Sequence, residues 1–244
     1  MRKSLRRHRR YPSFRRAPML IPVASSALLM AGAVVLCDFD GTIANIDAAE
    51  FALRKFAVGD WERYDRQLEE GKITLKQCLE REFALVRASR LDISSEVLKA
   101  TTLRPHFGDL VSHCDQRHIP LVIVSAGLDF IVREIVRSNG WEGKLELLMP
   151  RSLFTSRGMK LQLPRTRFRS SQSFKDDTVA SYQKLGRPVA YIGDGSPDLA
   201  AAEAADLVFT VKDSKLSRLC DRRNVAHSDF RDFAEVVQAL GSWP

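Results

Sequence analysis

Residues 33–38 form an apolar run that stops on two carboxylates, Asp38 and Asp40, with Gly41 and Thr42 immediately behind. A continuous β-branched run of this length, ended by a turn, predicts a strand of a parallel sheet buried on both faces. Its end constrains the fold most. Two negative charges one residue apart resist burial unless something positive lies beside them. Either a cation binds at the end of that strand, or the pair sits on a solvated turn.

Other strands end in a similar way. Leu121–Val124 runs into Ser125, Ala126 and Gly127, and the run PVAYI runs into Asp194 and Asp198. LVFTV, at 207–211, reads as a further strand, and short strand-like pieces lie around 145–148 and 159–163. Between them the apolar spacing becomes helical over about 105–118, 128–140, 175–185, 197–205 and 230–240. Ser196 before Pro197 reads as a helix N-cap. Residues 47–101 are helical in pattern with no strand signal. Leu75, Cys78, Leu79, Phe83 and Val86 share one face of a helix over 74–86. This order predicts an α/β fold: a parallel sheet with helices on both faces, built from 31–46 and 102–244, with a helical cap at 47–101 inserted after the first strand.

The net charge of +8 is concentrated at one end. Arg2, Lys3, Arg6, Arg7, Arg9, Arg10, Arg15 and Arg16 supply eight positive charges, and the remaining 30 basic residues balance the 30 acidic ones. The body is neutral, and residues 1–30 read as a basic arm with an apolar lead-in outside the catalytic part. The apolar stretch 19–36 has the look of a signal peptide or membrane anchor. However, its last residues are the strand that delivers Asp38, and neither cleavage nor insertion would leave that strand intact. A cytoplasmic protein is expected, or an organellar one if the acid-free arm is a transit peptide. The cysteines Cys37, Cys78, Cys114 and Cys220 are far apart and form no C-x-x-C pair, which fits a reducing compartment without a zinc or redox motif.

In an open parallel sheet, ligands bind outside the carboxyl ends of the strands, so groups far apart in sequence can meet there. Asp38, Asp40, Ser125, Asp194 and Asp198 all stand at such ends, and Lys175 opens the helix before the third buried strand. Four acids, a hydroxyl and a lysine suit a divalent metal ion together with a phosphate.

The ordered set D-x-D-G-T, strand-end Ser125, Lys175 and G-D-G-S-x-D resembles the haloacid dehalogenase superfamily of phosphohydrolases over about residues 33–240. The resemblance implies an Mg2+-dependent phosphatase acting on a small phosphorylated metabolite. It implies that Asp38 attacks phosphorus, and that Asp40 protonates the leaving alcohol and then activates water. It assigns phosphate binding to Ser125, Ala126, Gly127 and Lys175. It assigns metal binding to Asp38, the backbone carbonyl of Asp40, Asp194 and Asp198, with Asp198 alternatively orienting Lys175. The insert resembles the cap of the phosphoserine-phosphatase-like branch. Within that branch CDFDGTI, Asp47, the Trp-containing helix and GKIT look most like the methionine-salvage phosphatases, which act on a keto-enol phosphate; phosphoserine phosphatases are the alternative. The latter usually carry Glu at the position of Asp47 and Arg at that of Glu82, which makes Asp47 and Glu82 the candidate selectivity residues. From another class, a nucleic-acid-binding protein on an inactive phosphatase fold would use the arm and the cluster Lys160, Arg165, Arg167 and Arg169. No base-reading motif accompanies that cluster and every catalytic position is filled. Neither a membrane nor a specific nucleic acid is expected as a partner, and oligomeric state is left open.

Overall fold

The computed structural model describes residues 32–156, 158–241 and 243. The expectations placed on residues 1–30 lie outside these.

The sheet is six-stranded and parallel throughout. It contains β1 (Val34–Cys37), β2 (Leu121–Val124), β3 (Glu146–Leu148), β6 (Val189–Gly193), β7 (Leu207–Val211) and β8 (Ser228–Phe230), in the order β3-β2-β1-β6-β7-β8. The remaining strands, β4 (Arg151–Thr155) and β5 (Gly158–Gln162), form an antiparallel hairpin of their own. β1 is central and fully buried, and strand order runs away from it in both directions. That reversal leaves a crevice beyond its carboxyl end. Cys37 stands opposite Ile123 on one side and Ile192 on the other, so the three central strands end level. The Asp38 N–H adds one more rung by donating to the Ile192 carbonyl at 2.9 Å.

Side chains alternate across the sheet with period two. Val35 and Cys37 face one apolar cluster, and Val34 and Leu36 face the other. The first cluster is covered by α5 (Phe107–Gln116), α6 (Asp129–Ser138) and α10 (Phe233–Leu240), and the second by α7 (Phe174–Gln183), α8 (Leu199–Ala204) and α9 (Lys215–Arg223). Helices on both faces match the expected α/β class.

Between β1 and β2 run α1 (Ala48–Phe56), α2 (Glu62–Glu69), α3 (Leu75–Phe83) and α4 (Arg90–Ala100). Each start but that of α2 has a side-chain cap. Asp47 accepts from the Glu50 N–H, and Thr74 and Ser89 form capping boxes with Gln77 and Asp92. Phe83, Val86, Ile93 and Val97 continue the same apolar cluster that covers Val35 and Ile123. No helix among the described residues is long and apolar enough to cross a membrane.

Several boundaries differ from the sequence expectation. The helix expected over 74–86 stops at Phe83, where Ala84 becomes its C-cap. The one expected over 230–240 starts at Phe233 behind the Asp232 cap, and Phe230 belongs to the edge strand β8. The segment 197–205 divides into a 3-10 turn, Ser196–Asp198, and α8. Gly195 precedes that turn, so Ser196 lies inside it and is not the N-cap expected.

Candidate active site

The level ends of β1, β2 and β6 bring Asp38, Ser125 and Asp194 to one end of the sheet. Lys175 arrives from the first turn of α7, which opens at the Ser173 cap. Its ammonium donates to Asp38 Oδ1 at 2.8 Å and Asp198 Oδ1 at 2.6 Å, and its side chain is only 5% exposed. Asp198 has no accessible surface. Its Oδ1 also accepts from the Tyr191 hydroxyl at 2.6 Å, and its Oδ2 from the N–H groups of Asp194 and Gly195 at 3.2 and 2.9 Å. All four contacts come from within the chain. Through these bonds Asp198 holds Lys175 and the Asp194 loop.

Asp40, two residues on, makes a separate set of contacts. Its Oδ1 accepts from the Ala48 N–H at the start of α1 at 2.8 Å, and its Oδ2 from the Ser125 hydroxyl at 3.3 Å. The Gly127 N–H in turn donates to Ser125 Oγ at 2.9 Å, while Ala126 packs against the apolar cluster under α7. Gly127 has to be glycine here, since a Cβ would fall 1.9 Å from Asp40 Oδ2. Gly41 is constrained twice, by a φ of +77° and by Asp194 Oδ2 at 2.3 Å from a would-be Cβ. Thr42 donates to Asp194 Oδ1 at 2.8 Å and so ties the first motif to the third.

The charge balance is lopsided. Burial, reinforced by Asp198, drives the Asp38 carboxyl well above the usual carboxylate range despite the adjacent lysine. Burial raises Asp194 to about 6. Burial and the charge of Asp47 raise Asp40 to about 7. Lys175 is shifted up, because Asp198 and Asp38 outweigh the cost of burying its charge. Oxygens of Asp38, Asp194 and Asp198 lie within 4.8 Å of one another. Buried acids in excess over one lysine fit a hard divalent cation, which takes carboxylate oxygens and would relieve that excess. Asp38, Asp194 and Asp198 are the side chains that could receive it.

Of the candidate selectivity residues, Asp47 caps α1 and reaches solvent. The protein around it raises its carboxyl, and its charge bears on Asp40. Glu82 is on α3 as expected but is 2% exposed, and it is grouped with the buried Cys78 and the exposed Asp65 of α2. The sequence reading missed that grouping because Asp65 comes from a different helix. It also missed Arg104, which binds the carbonyls of Gly41 and Thr42 at 2.9 and 2.8 Å and that of Arg231 at 3.1 Å. An arginine between two helices has no signal of its own in sequence. Arg165, Arg167 and Arg169 are exposed, and the backbone of Arg167 is fixed by Asp177 at 2.7 Å.

The chain is similar to known proteins. A phosphatase named for 2-hydroxy-3-keto-5-methylthiopentenyl-1-phosphate, from Geobacillus kaustophilus, is 31% identical over 215 residues, covering 85% of this chain and 94% of that protein. The bifunctional enzyme MtnB/MtnX of Bacillus licheniformis is 30% identical over 215 residues, 85% of this chain, but this chain spans only 49% of its length. Among solved structures, a substrate-bound phosphoserine phosphatase superposes with a TM-score of 0.64 at 16% identity, covering 85% of this chain and 98% of that one, a likeness of fold. The family model described as haloacid dehalogenase-like hydrolase matches residues 35–203. That match runs from β1 to α8 and takes in every strand end that builds the crevice, so the chain belongs to the haloacid dehalogenase-like hydrolase family.

Proposed function

We propose that this phosphatase hydrolyses a small phosphate monoester with an uncharged tail, the keto-enol phosphate of the methionine-salvage enzymes, using Asp38 as nucleophile. The observation supporting the chemistry is that Lys175 donates to both Asp38 and Asp198, while Asp40 accepts from Ser125 at the end of the neighbouring strand. Lys175 and Ser125 bind phosphate oxygens, joined by the N–H groups of Ala126 and Gly127. Asp38 attacks phosphorus as the P–O bond to the alcohol breaks, giving an aspartyl-phosphate. Asp40, near 7, is present in both protonation states around neutrality. In its acid form it protonates the leaving alcohol; as a base it then takes a proton from the water that releases phosphate. Asp38, Asp194 and the Asp40 carbonyl would hold Mg2+, which would neutralise charge for the incoming phosphate. Asp198 positions Lys175.

The helical segment 47–101 acts as a cap over the crevice, and 31–46 with 102–244 as the catalytic core. Substrate class is supported by the 31% identity that extends over 94% of the Geobacillus enzyme. It is supported also by the charge of the cap, where Asp47 and Glu82 stand and no described Lys or Arg pairs with either. A substrate carboxylate would meet like charge there, at a cost on the order of 1 kcal/mol per unscreened contact. The buried free cysteines are consistent with a reducing cytoplasm.

The test is phosphate release from small monoesters with Mg2+, with a chelator, and in Asp38→Asn. Turnover is expected only in the metal-supplied wild type. Undiminished turnover in Asp38→Asn would remove the covalent route, since a neutral amide cannot attack phosphorus.

A further inference from the structure

Asp65, Cys78 and Glu82 meet between α2 and α3, and none of them is among the side chains that hold Lys175. One donor atom from each lies within 4.8 Å of the other two, and the Cys78 thiol points at Asp65 Oδ1, 3.8 Å away. Cys78 and Glu82 are four residues apart and so share one face of α3. Both are buried, at 1% and 2% exposure, while Asp65 is exposed. An independent observation points to a missing ligand: Glu82 Oε1 is fully enclosed and has no hydrogen-bond partner. An unpaired buried carboxylate oxygen is costly unless something fills the place beside it.

Nothing positive in the described chain does so. Arg81, next in sequence, turns the other way. It donates to Gln67 Oε1 at 3.3 Å and lies over the Tyr64 ring. Lys76 pairs with Glu80, and Lys72 with Glu70. No ion pair among the described residues includes Asp65 or Glu82. Burial and the neighbouring Asp65 raise Glu82 to about 7, as expected for acids crowded together without a counter-ion.

We propose that Asp65, Cys78 and Glu82 bind a borderline divalent transition-metal ion of the zinc type, which pins α2 to α3. The donor set decides the class. One thiolate with two carboxylates suits Zn2+ or Co2+, whereas Mg2+ and Ca2+ avoid sulfur. Zinc–sulfur and zinc–oxygen distances of about 2.3 and 2.0–2.2 Å place tetrahedral donors closer than the present spacing, so the side chains draw in slightly. Binding forms a metal–sulfur bond and releases the Cys78 thiol proton to solvent. Three protein ligands leave a fourth position for water, and Asp65 gives access from the surface. With two carboxylates and a thiolate around a doubly positive ion, the centre keeps a net negative charge. The cap therefore still presents no cation to a substrate carboxylate.

The test uses the full chain, freed of metal by chelation and titrated with Co2+ in the presence of Mg2+. A thiolate-to-cobalt charge-transfer band is expected in the near ultraviolet, saturating at one equivalent per chain. It should be absent in Cys78→Ser, weakened at least about tenfold in affinity in Glu82→Gln, and unchanged in Asp38→Asn. Zn2+ should raise the Tm of the wild type by several degrees and that of Cys78→Ser by much less. A wild type without the band would overturn the proposal and leave a shared proton as the link between the two carboxyls. A band that survives in Cys78→Ser would overturn it equally. Neither readout depends on turnover, so the proposal fails or stands separately from the phosphatase chemistry.

Discussion

Lys175 neutralises two buried carboxylates that otherwise have only neutral donors, at 2.8 and 2.6 Å. Removing one partner of a buried ion pair costs about 3–5 kcal/mol, because the charge left behind is uncompensated. Lys175→Met should therefore lower stability by that order, read as a drop in Tm at pH 8 with a chelator present, as well as abolish turnover. Gly127→Ala should show the opposite pattern. The added methyl group would fall on Asp40 Oδ2, at 1.9 Å, so the carboxylate has to move. A displacement near 1 Å at a reacting group costs about a hundredfold in kcat, while the fold, which asks nothing special of residue 127's backbone, loses little. Equal losses in kcat and Tm would show that Gly127 serves packing. These positions were legible in the sequence because each stands at a strand or helix end: Asp38, Asp40, Ser125, Lys175, Asp194 and Asp198 all reach the crevice. The duties of Tyr191 and Arg104 were not legible. Tyr191 reads as one more apolar residue of β6, and only the fold shows its hydroxyl on Asp198.

At the level of elements, the strands read most directly were those buried on both faces, β1, β2 and β6, since continuous apolar runs leave no other explanation, and β3 and β5 were read only as short strand-like pieces. β4 and β8 escaped. β4 is largely exposed, and β8 is three residues long, so neither offers a period to detect. The division of the 3-10 turn from α8 likewise has no periodic signature. Arg104 acts between elements, joining the segment after α4 to the loop after β1 and to the residue before α10 through Arg231. Arg104→Ala leaves the carbonyls of Gly41 and Thr42 without this donor, which predicts a loss of about 1–3 kcal/mol. Because that loop sets Asp38 and Asp40, kcat should fall with KM little changed. A change confined to KM would mean that Arg104 meets the substrate.

For the whole molecule, the buried residues of both apolar clusters, all six strands of the parallel sheet and every residue of the ordered motif set lie at residues 33–240. A chain starting at Met30 is accordingly expected to fold and keep full kcat/KM; an insoluble or inactive product would mean that residues 1–29 pack onto the body. The architecture was legible because strands alternating with helices admit few arrangements, and the interior of the cap was not, because it depends on contacts between helices. The proposed substrate choice rests on the same segment, through Asp47 and Glu82. The most direct measurement is the ratio of kcat/KM for the keto-enol phosphate to that for phosphoserine, taken with Mg2+ on one preparation. The account predicts a ratio of about five or more, since one unfavourable like-charge contact is on the order of 1 kcal/mol and the keto-enol phosphate avoids it. A wild type that prefers phosphoserine would contradict it.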